Sequence, residues 1–452
     1  MGNRIFSRTN GYLIFYGTRI PLDLAGKIVD LMMYRKRSKV FFYDGVSFKD
    51  AIDDVEPHRI LSCYFPVDEP SFSNVLVHGR IFDVERSLPT IACLRDSVAV
   101  EGFGRDLSLD FDGDFSMAFA DTDLVVALRS PVSSKPLYLS RGVEACILAS
   151  DPYPMNLLGL HYDYVPAGTI LCVESSEAVR VLAKKYYTVN VPCRSLNLEG
   201  SVEMLRSALE YSVARNLEEV RRAAVAFSGG LDSTVLVKLL QSSDVKPFLF
   251  TVCSKGSYDS IHAKKVAEAL LLDHLLVYVD EAFLEKKVSR LLKMFGRANL
   301  MDLTIASIFN IVAEEAARIG LNHVVAGQGA DELFGGYQRY LNILRTDGSG
   351  SLEAHLKSDL EALQGYKISR DDVSISMFAE PIMPFLNKKV AEAAYSLPPE
   401  FKVDGATGER KVVLRALAER LGLSERVCRQ SKKAMQYSSG IQKMVSRIIS
   451  RV

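Results

Sequence analysis

The amino-acid sequence predicts two domains: an N-terminal α+β domain built as an antiparallel sandwich, and a C-terminal α/β domain with a parallel sheet covered by helices. Its 452 residues exceed what one ordinary hydrophobic core holds, so two cores are expected. Up to about Val189 short apolar runs alternate with turn signals, whereas from Leu196 strand and helix patterns alternate. Pro192 lies between these halves in a stretch without apolar periodicity. The predicted domains are therefore residues 1–193 and 194–452.

Each predicted strand of the N-terminal half is a short run of β-branched, aromatic and aliphatic residues. Turn-forming Asp, Gly and Pro residues separate the runs at spacings that favour antiparallel pairing. In chain order the runs are GYLIFYG, NVLVHGRIF, FSMAFAD, DLVVALRS, KPLYLS, CILASD and TILCVES. Few stretches of helical period interrupt them, so this half is expected to consist mainly of sheet.

The C-terminal half opens with a predicted helix, because residues 202–219 carry apolar side chains at helical spacing. Four strand candidates follow, each leading into a helical segment: AAVAFS, PFLFTV, HLLVYV and HVVAG. This succession predicts parallel strands, and loops that carry function then lie at the carboxyl ends of those strands. Residues 347–351 (DGSGS) are expected to form a flexible surface loop inside this domain.

Composition and charge argue against several classes of protein. The 55 basic residues balance 55 acidic residues, so no general attraction to nucleic acid or to an anionic membrane is expected. No apolar run is long enough to span a bilayer and no signal-peptide pattern occurs, which predicts a cytoplasmic protein. The seven cysteines are scattered without a Cys-x-x-Cys pair, so they are expected to be reduced thiols.

The strongest motif directly follows the first C-terminal strand candidate. It reads Ser228-Gly229-Gly230-Leu231-Asp232-Ser233 and is called the glycine loop (residues 228–233) below. Glycines let the backbone approach a phosphate, and the helix that follows directs its positive end toward it. A carboxylate in such a loop, Asp232, suits Mg²⁺ that bridges phosphate oxygens. The motif lacks the GxxxxGK[ST] pattern and predicts a magnesium-nucleotide site, with a capped strand-to-helix turn as the alternative.

A second glycine-rich segment, residues 326–336 with the sequence AGQGADELFGG, follows the last strand candidate and is called the acidic loop below. Gly327 and Gly329 allow the backbone to pass close to a nucleotide. Asp331 can offer Mg²⁺ a second carboxylate opposite Asp232. Taken alone, the acidic residues of this loop are equally well explained as a helix cap.

Together the two loops resemble the signatures of the asparagine synthetase family, whose ATP-pyrophosphatase domain splits ATP into AMP and pyrophosphate and whose relatives form β-lactams. Three more stretches follow in the order that this family shows: FTV at 250–252, EPIMPFLN at 380–387, and RQSKKAMQ at 429–436. Ile382 and Asn387 replace the usual Arg and Asp of the second stretch. The resemblance covers residues 202 to about 440 and implies an adenine nucleotide alpha hydrolase-like fold for the C-terminal domain.

The resemblance also implies the residues of the site. ATP-binding positions are Phe227, Ser228, Gly229, Gly230, Leu231, Asp232, Ser233, Val252, Ala326, Gly327 and Gly329, and the Mg²⁺ ligands are Asp232 and Asp331. Catalytic positions are Gln328, Glu380 and the pair Lys432 and Lys433, one of which contacts the phosphates. The family usually has an acidic residue where this chain has Gln328, and an amide cannot accept a proton from the amine. Glu380 or Tyr337 would then take that role, with a structural hydrogen bond as the alternative for each.

The N-terminal half resembles, in outline, the class II glutaminase domain of the same family, an Ntn-hydrolase-like sandwich. Glutaminases of this class begin at a nucleophilic cysteine, whereas position 2 of this chain is Gly2 and the nearest cysteine is Cys63. His78-Gly79-Arg80 stands where the family has the Asn-Gly-Glu of its glutamine pocket. We therefore expect a retained fold without glutaminase activity.

The sequence thus predicts an AMP-forming carbon–nitrogen ligase that converts aspartate, ATP and ammonia into asparagine, AMP and pyrophosphate. A ligase for another carboxylic acid or for an internal amine, as in β-lactam formation, is the first alternative. A catalytically idle nucleotide-binding homologue is the second. We expect ammonia to come from solution or from a separate glutaminase, and we expect the protein to form a homodimer. Neither a nucleic acid nor a membrane is expected as a partner.

Overall fold

The computed structural model describes residues 7–17, 23–25, 27, 41–43, 48–49, 60–66, 75–82, 109, 111–120, 124–142, 145–175, 179–194, 196–295, 298–429 and 439–451. The chain forms two compact units. Unit 1 comprises Met1–Thr188, Met294–Gly296 and Gln364–Val373, and unit 2 comprises Val189–Lys293, Arg297–Leu363 and Ser374–Val452. The main division between the units falls between Thr188 and Val189, and unit 1 also takes in two short segments of the C-terminal half.

In the part of the chain that the structure describes, unit 1 is built on a 12-stranded sheet, together with a short helix. The strands are β1 (Ser7–Gly17), β2 (Phe41–Tyr43), β3 (Phe48–Lys49), β4 (Ile60–Pro66), β5 (Val75–Ile81), β6 (Gly113–Ala120), β7 (Leu124–Arg129), β8 (Tyr138–Arg141), β9 (Ala145–Ala149), β10 (Asp163–Tyr164), β11 (Thr169–Ser175) and β12 (Val179–Lys185), and the helix is α1 (Tyr153–Leu157). The main path runs β10-β8-β9-β1-β5-β6-β7-β11-β12, and β4 joins it at β1. All of these pairs are antiparallel except β1 with β5, which confirms the predicted antiparallel N-terminal domain.

Strand β1 is apolar on both faces. Tyr12, Ile14 and Tyr16 pack into one hydrophobic cluster, whereas Leu13 and Phe15 pack into another. Successive side chains of a strand point to opposite faces, so a continuous apolar run is what a strand covered on both sides requires. The run GYLIFYG therefore forms a strand inside the core of unit 1.

Unit 2 contains a five-stranded, wholly parallel sheet in the order β15-β14-β13-β16-β17. The strands are β13 (Arg222–Ala226), β14 (Lys246–Cys253), β15 (His274–Tyr278), β16 (His323–Val325) and β17 (Glu380–Ile382). The helices described in the C-terminal half of the chain are α2 (Leu198–Asn216), α3 (Leu231–Ser242), α4 (Tyr258–Ala269), α5 (Glu281–Phe295), α6 (Leu300–Arg318), α7 (Ala330–Phe334), α8 (Gln338–Ala362), α9 (Ile368–Ser376), α10 (Lys388–Ser396), α11 (Val412–Arg420), α12 (Glu425–Cys428) and α13 (Ile441–Ile449). Most of α9 belongs to unit 1. A π-helical turn (Leu363–Lys367) precedes α9, and a 3₁₀ turn (Pro399–Phe401) follows α10.

The four predicted C-terminal strands are confirmed as β13 to β16, and the fifth, β17, was not predicted. It is short, lies at the edge of the sheet and contains Pro381, which lacks the N–H that an inner strand would use. Residues 347–351 do not form the expected loop. Helical structure runs on through α8 with a kink at Gly348, whose φ of 85° only glycine adopts readily.

The order of the strands places a topological switch point beside β13. From β13 the chain proceeds to β14 and β15 on one side, and then returns to place β16 and β17 on the other side. In open parallel sheets a ligand crevice forms outside the carboxyl ends of the strands at such a point. The glycine loop after β13 and the acidic loop after β16 both start there.

Among the described residues, no helix is long and apolar enough to cross a membrane.

Candidate active site

The glycine loop turns directly from β13 into helix α3. Gly229 has a φ of 72°, a left-handed conformation that suits glycine. Gly230 is extended and precedes the first residue of the helix, Leu231. Its N–H lies 3.3 Å from Ser228 Oγ. The first N–H groups of any helix lack partners within that helix, so this loop presents backbone donors to an anion.

The acidic loop passes close to the glycine loop. A Cβ atom added to Gly327 would lie only 3.3 Å from the Cβ atom of Asp232. Gly329 has a φ of 95° and is followed by helix α7, whose first turn contains Asp331. The two predicted Mg²⁺ ligands therefore belong to two adjacent loops at the switch point.

The side chain that joins the two carboxylates is Lys411. Its Nζ atom lies 2.5 Å from Asp232 Oδ1 and 2.7 Å from Asp331 Oδ1. The lysine side chain is 5% exposed, whereas those of Asp232 and Asp331 are 25% and 16% exposed. Burial lowers the pKa of the Lys411 ammonium, and the carboxylate of Asp232 acts in the opposite direction. Both carboxylates thus converge on one cation.

Backbone geometry fixes Lys411 in this place. Its φ of 58° is left-handed, which costs a non-glycine residue about 1–3 kcal/mol and is tolerated where surrounding contacts impose it. The Lys411 N–H donates to the Lys402 carbonyl at 2.7 Å, and the Arg410 guanidinium donates to the Gly336 carbonyl at 2.7 Å. Gly336 itself leaves the required room, because a Cβ there would lie 1.8 Å from Asp331 Oδ1 and 2.4 Å from Lys411 Cε.

The donor set fits a small divalent cation. Carboxylate oxygens are the ligands that Mg²⁺ prefers, and it commonly takes one or two from protein and the rest from phosphates and water. Asp232 and Asp331 supply two such carboxylates, and in this structure both contact the Lys411 ammonium.

A small pocket lies beside the glycine loop at the ends of β13 and β14. Its lining residues are Ala226, Phe227, Phe250, Thr251, Val252, Asp259, Ile308 and Val312. Two of the predicted ATP-binding residues, Phe227 and Val252, are among them, and both are buried. The lining is mainly apolar, with one carboxylate from Asp259 and one hydroxyl from Thr251.

The remaining predicted site residues are distributed as follows. Gln328 lies in the acidic loop and is partly exposed. Glu380 is the first residue of β17, where its carboxylate lies 3.3 Å from His323 Nε2 at the start of β16. Both residues stand at the amino ends of their strands, whereas the two loops leave from the carboxyl ends. Lys432 and Lys433 lie outside the described residues.

Sequence reasoning did not assign Lys411 to the site. Its signal was present, since Glu409-Arg410-Lys411 precedes the lysine-containing stretch in the order that the family shows. The contact of Lys432 or Lys433 with the phosphates, which the resemblance to the family implies, stays a prediction. Only the folded chain shows that Lys411 reaches both carboxylates.

Unit 1 contains a separate buried cluster at the position of the altered glutamine motif. Lys135 Nζ lies 3.0 Å from Asp372 Oδ1, and His78 Nε2 lies 3.7 Å from Asp372 Oδ2, with all three side chains at most 4% exposed. Gly79 has a φ of 105°, and a Cβ there would lie 2.8 Å from Lys135 Cγ. Asp114 accepts hydrogen bonds from Ser134 and Ser133, and burial raises its pKa.

The chain is similar in sequence to known proteins. The asparagine synthase family model matches residues 204–364 and 345–450. A protein of Methanocaldococcus jannaschii named "Putative asparagine synthetase (glutamine-hydrolyzing) 1" is 29% identical over 284 residues, which are 56% of this chain and 52% of that protein. The glutamine-hydrolyzing asparagine synthetase of Asparagus officinalis is 25% identical over 376 residues, which are 76% of this chain and 62% of that protein.

Solved structures give weaker similarity. The B. subtilis glutamine phosphoribosylpyrophosphate amidotransferase complexed with ADP and GMP has a TM-score of 0.31 and 12% identity, over 59% of this chain and 65% of that one. The chain spans about half to two thirds of the length of the two curated relatives above. Because the family model covers more than half of its residues and both loop motifs lie inside that match, the chain belongs to the asparagine synthase family.

Proposed function

We propose that this protein is an ATP-dependent amide-forming ligase that activates a carboxylic acid as an acyl-adenylate and passes the acyl group to an amine. The observation that carries the proposal is the convergence of Asp232 and Asp331 on the Lys411 ammonium beside the glycine loop. Mg²⁺ held by the two carboxylates would neutralise and orient the phosphates of ATP. Family membership supports the same reaction class.

The protein groups have separable tasks in this reaction. The backbone N–H groups of the glycine loop and the start of α3 bind phosphate oxygens, and the pocket that contains Phe227 and Val252 holds the adenine. Lys411 is placed to offset the negative charge that develops on the α-phosphate and on the leaving pyrophosphate. A substrate carboxylate then attacks the α-phosphorus, pyrophosphate leaves, and the amine displaces AMP.

Aspartate and ammonia are the substrates that we propose. The two relatives named above are asparagine synthetases, which favours aspartate, and their names specify hydrolysis of glutamine. In this chain, His78 of the altered glutamine motif lies 3.7 Å from the buried Asp372 carboxylate, and Gly79 packs against Lys135, which forms an ion pair with Asp372. That arrangement supports free ammonia as the nitrogen source. A homodimer and a separate glutaminase remain predictions.

A pyrophosphate-release assay tests the proposal. Purified protein with Mg-ATP and aspartate is given ammonium, glutamine or no nitrogen donor, and AMP and asparagine are measured together with pyrophosphate. Release with ammonium but not with glutamine, accompanied by asparagine, is the expected result. Asp232→Asn serves as the control for background ATP hydrolysis, and it should abolish release.

The other results reject specific parts of the proposal. Asparagine formation from glutamine would overturn the nitrogen source. Pyrophosphate release without asparagine would point to another acid or to an internal amine, which the substitution of an amide at Gln328 also motivates. Absence of release with a panel of carboxylic acids would overturn the ligase function.

A further inference from the structure

The glycine loop lies against helix α4 through a contact that belongs to neither loop motif. His262 of α4 places Nε2 3.0 Å from the carbonyl oxygen of Gly229. The side chain is buried, with 5% of the residue exposed, and its ring stacks on Tyr258 with centroids 5.3 Å apart and planes 16° apart. A carbonyl oxygen only accepts hydrogen bonds, so Nε2 carries a proton and donates. The imidazole is therefore fixed by stacking and aimed at one backbone oxygen.

The orientation of that carbonyl decides where the next N–H points. In a trans peptide unit the C=O of one residue and the N–H of the next point in opposite directions. With the Gly229 oxygen held by His262, the Gly230 N–H points away from α4, toward Ser228 Oγ at 3.3 Å. The Gly230 carbonyl is fixed separately by the Thr234 N–H at 3.1 Å and the Thr234 hydroxyl at 2.7 Å.

Gly229 also packs closely against helix α4. Gly229 adopts a φ of 72°, and a Cβ at this position would lie 2.9 Å from His262 Cδ2 and 3.0 Å from the Cα atom of Ala263. Glycine is conformationally free, and without a restraint the peptide unit between two glycines can flip its carbonyl into the loop. A carbonyl turned inward would face the phosphate and repel it. His262 supplies the restraint that prevents this.

We propose that His262 is a positioning residue that holds the Gly229–Gly230 peptide with its N–H directed into the phosphate site. The proposal rests on the proposed function in that the anion is a phosphate group of ATP. His262 acts through the backbone, so it affects phosphate-bearing ligands and leaves binding of the nucleoside unchanged.

Two variants of the full-length protein separate the hydrogen bond from packing. His262→Phe keeps a ring that can stack on Tyr258 but removes the donor, whereas His262→Gln keeps an N–H donor near the Nε2 position. Affinities for Mg-ATP and for adenosine are measured by calorimetry. His262→Phe should weaken Mg-ATP binding about tenfold or more, the effect of losing one hydrogen bond to a charged group, with adenosine affinity unchanged. His262→Gln should stay within about threefold of the wild type for both ligands.

Other results in the binding comparison overturn the proposal. Unchanged Mg-ATP affinity in His262→Phe shows that the peptide needs no restraint. An equal loss in both variants, or an equal loss for adenosine and Mg-ATP, assigns His262 to packing. A wild type that binds Mg-ATP but releases no pyrophosphate with any acid would reject the proposed function alone, because the comparison of variants still stands. A wild type that does not bind Mg-ATP would reject both.

Discussion

At the scale of single residues, the site depends on positions where a side chain is absent. Gly336 is the clearest example, because a hydrogen atom on its Cα faces the contact between Asp331 and Lys411. Its backbone conformation does not require glycine, since its φ is outside the left-handed region. The sequence shows a Gly335-Gly336 pair but not which neighbour each one serves. The need for Gly336 arises only when Lys411, far along the chain, folds onto the acidic loop.

Gly336→Ala is expected to reduce pyrophosphate release on the order of 100-fold, because a carboxylate and a lysine must both move and misplacement by about 1 Å costs roughly that much. Gly350→Ala is the matched control, since a Cβ there meets nothing within 4 Å. Steady-state assays of both variants, with circular dichroism to verify folding, check the prediction. Wild-type rates in Gly336→Ala would show that Asp331 and Lys411 are not needed in this arrangement.

At the scale of elements, three strands are tied together next to the glycine loop. Thr251 of β14 donates its hydroxyl to the Phe227 carbonyl at 2.6 Å, and therefore accepts from His274 of β15, whose Nε2 lies 2.9 Å away. Burial, and to a lesser extent Lys264, lowers the pKa of His274 to about 4. The neutral ring is thus part of the folded state. Sequence patterns predicted these strands, but not this hydrogen-bonded chain across them.

The lowered pKa predicts a loss of stability on acidification. An unfolded histidine titrates near pH 6.5, so between about pH 6.5 and pH 4 the unfolded state binds a proton that the folded state does not. The contribution of His274 is complete above pH 6.5 and is lost as the pH falls toward 4. Because the ring is partly exposed and solvent screens it, we expect about 1 kcal/mol between pH 7.5 and pH 5.

Urea unfolding of the wild type and of His274→Gln at both pH values measures this contribution. Carboxylates titrate in both proteins, so the difference between the two pH dependences isolates the imidazole. The glutamine variant should show the smaller loss on acidification. Equal losses in the two proteins would mean that His274 does not titrate differently in the folded and unfolded states.

At the scale of the whole molecule, unit 1 draws residues from three separate parts of the chain. Gln364–Val373 belongs to it, although the sequence on both sides belongs to unit 2. The segment contributes Asp372 to the buried pair with Lys135, and Gln364, whose side chain accepts from the Ser133 N–H at 2.8 Å. A domain boundary read along the sequence is a single point, so it could not show this exchange. The buried polar groups of the segment make its place in unit 1 specific.

Lys135→Met is expected to destabilise unit 1 by about 3–5 kcal/mol, because it removes the ammonium that lies 3.0 Å from the buried Asp372 carboxylate. The pair Lys246–Asp273 is the internal control, since its side chains are 62% and 53% exposed and Lys246→Met should cost at most about 1 kcal/mol. Urea unfolding followed by circular dichroism compares them. A double variant, Lys135→Met with Asp372→Leu, should recover much of the lost stability. Equal losses of stability in Lys135→Met and Lys246→Met would argue against a buried ion pair.

The sequence by itself determined what depends on local pattern. Period-two and helical patterns predicted the two fold classes and four of the five C-terminal strands. The glycines and aspartates of the two loops predicted the candidate site, because backbone conformation and metal-binding chemistry are properties of short segments. Strand β17 escaped prediction, because its three residues include Pro381, and a proline in a short run argues against a strand.

Only the tertiary structure decided which distant groups meet. It placed Lys411 between Asp232 and Asp331, His262 on the Gly229 carbonyl, and Asp372 on Lys135. Each of these contacts joins residues far apart in the chain, and no local propensity encodes such a partner. The energy of a buried charge or a buried carbonyl depends on what folding brings next to it, so the roles of these side chains exist only in the folded protein.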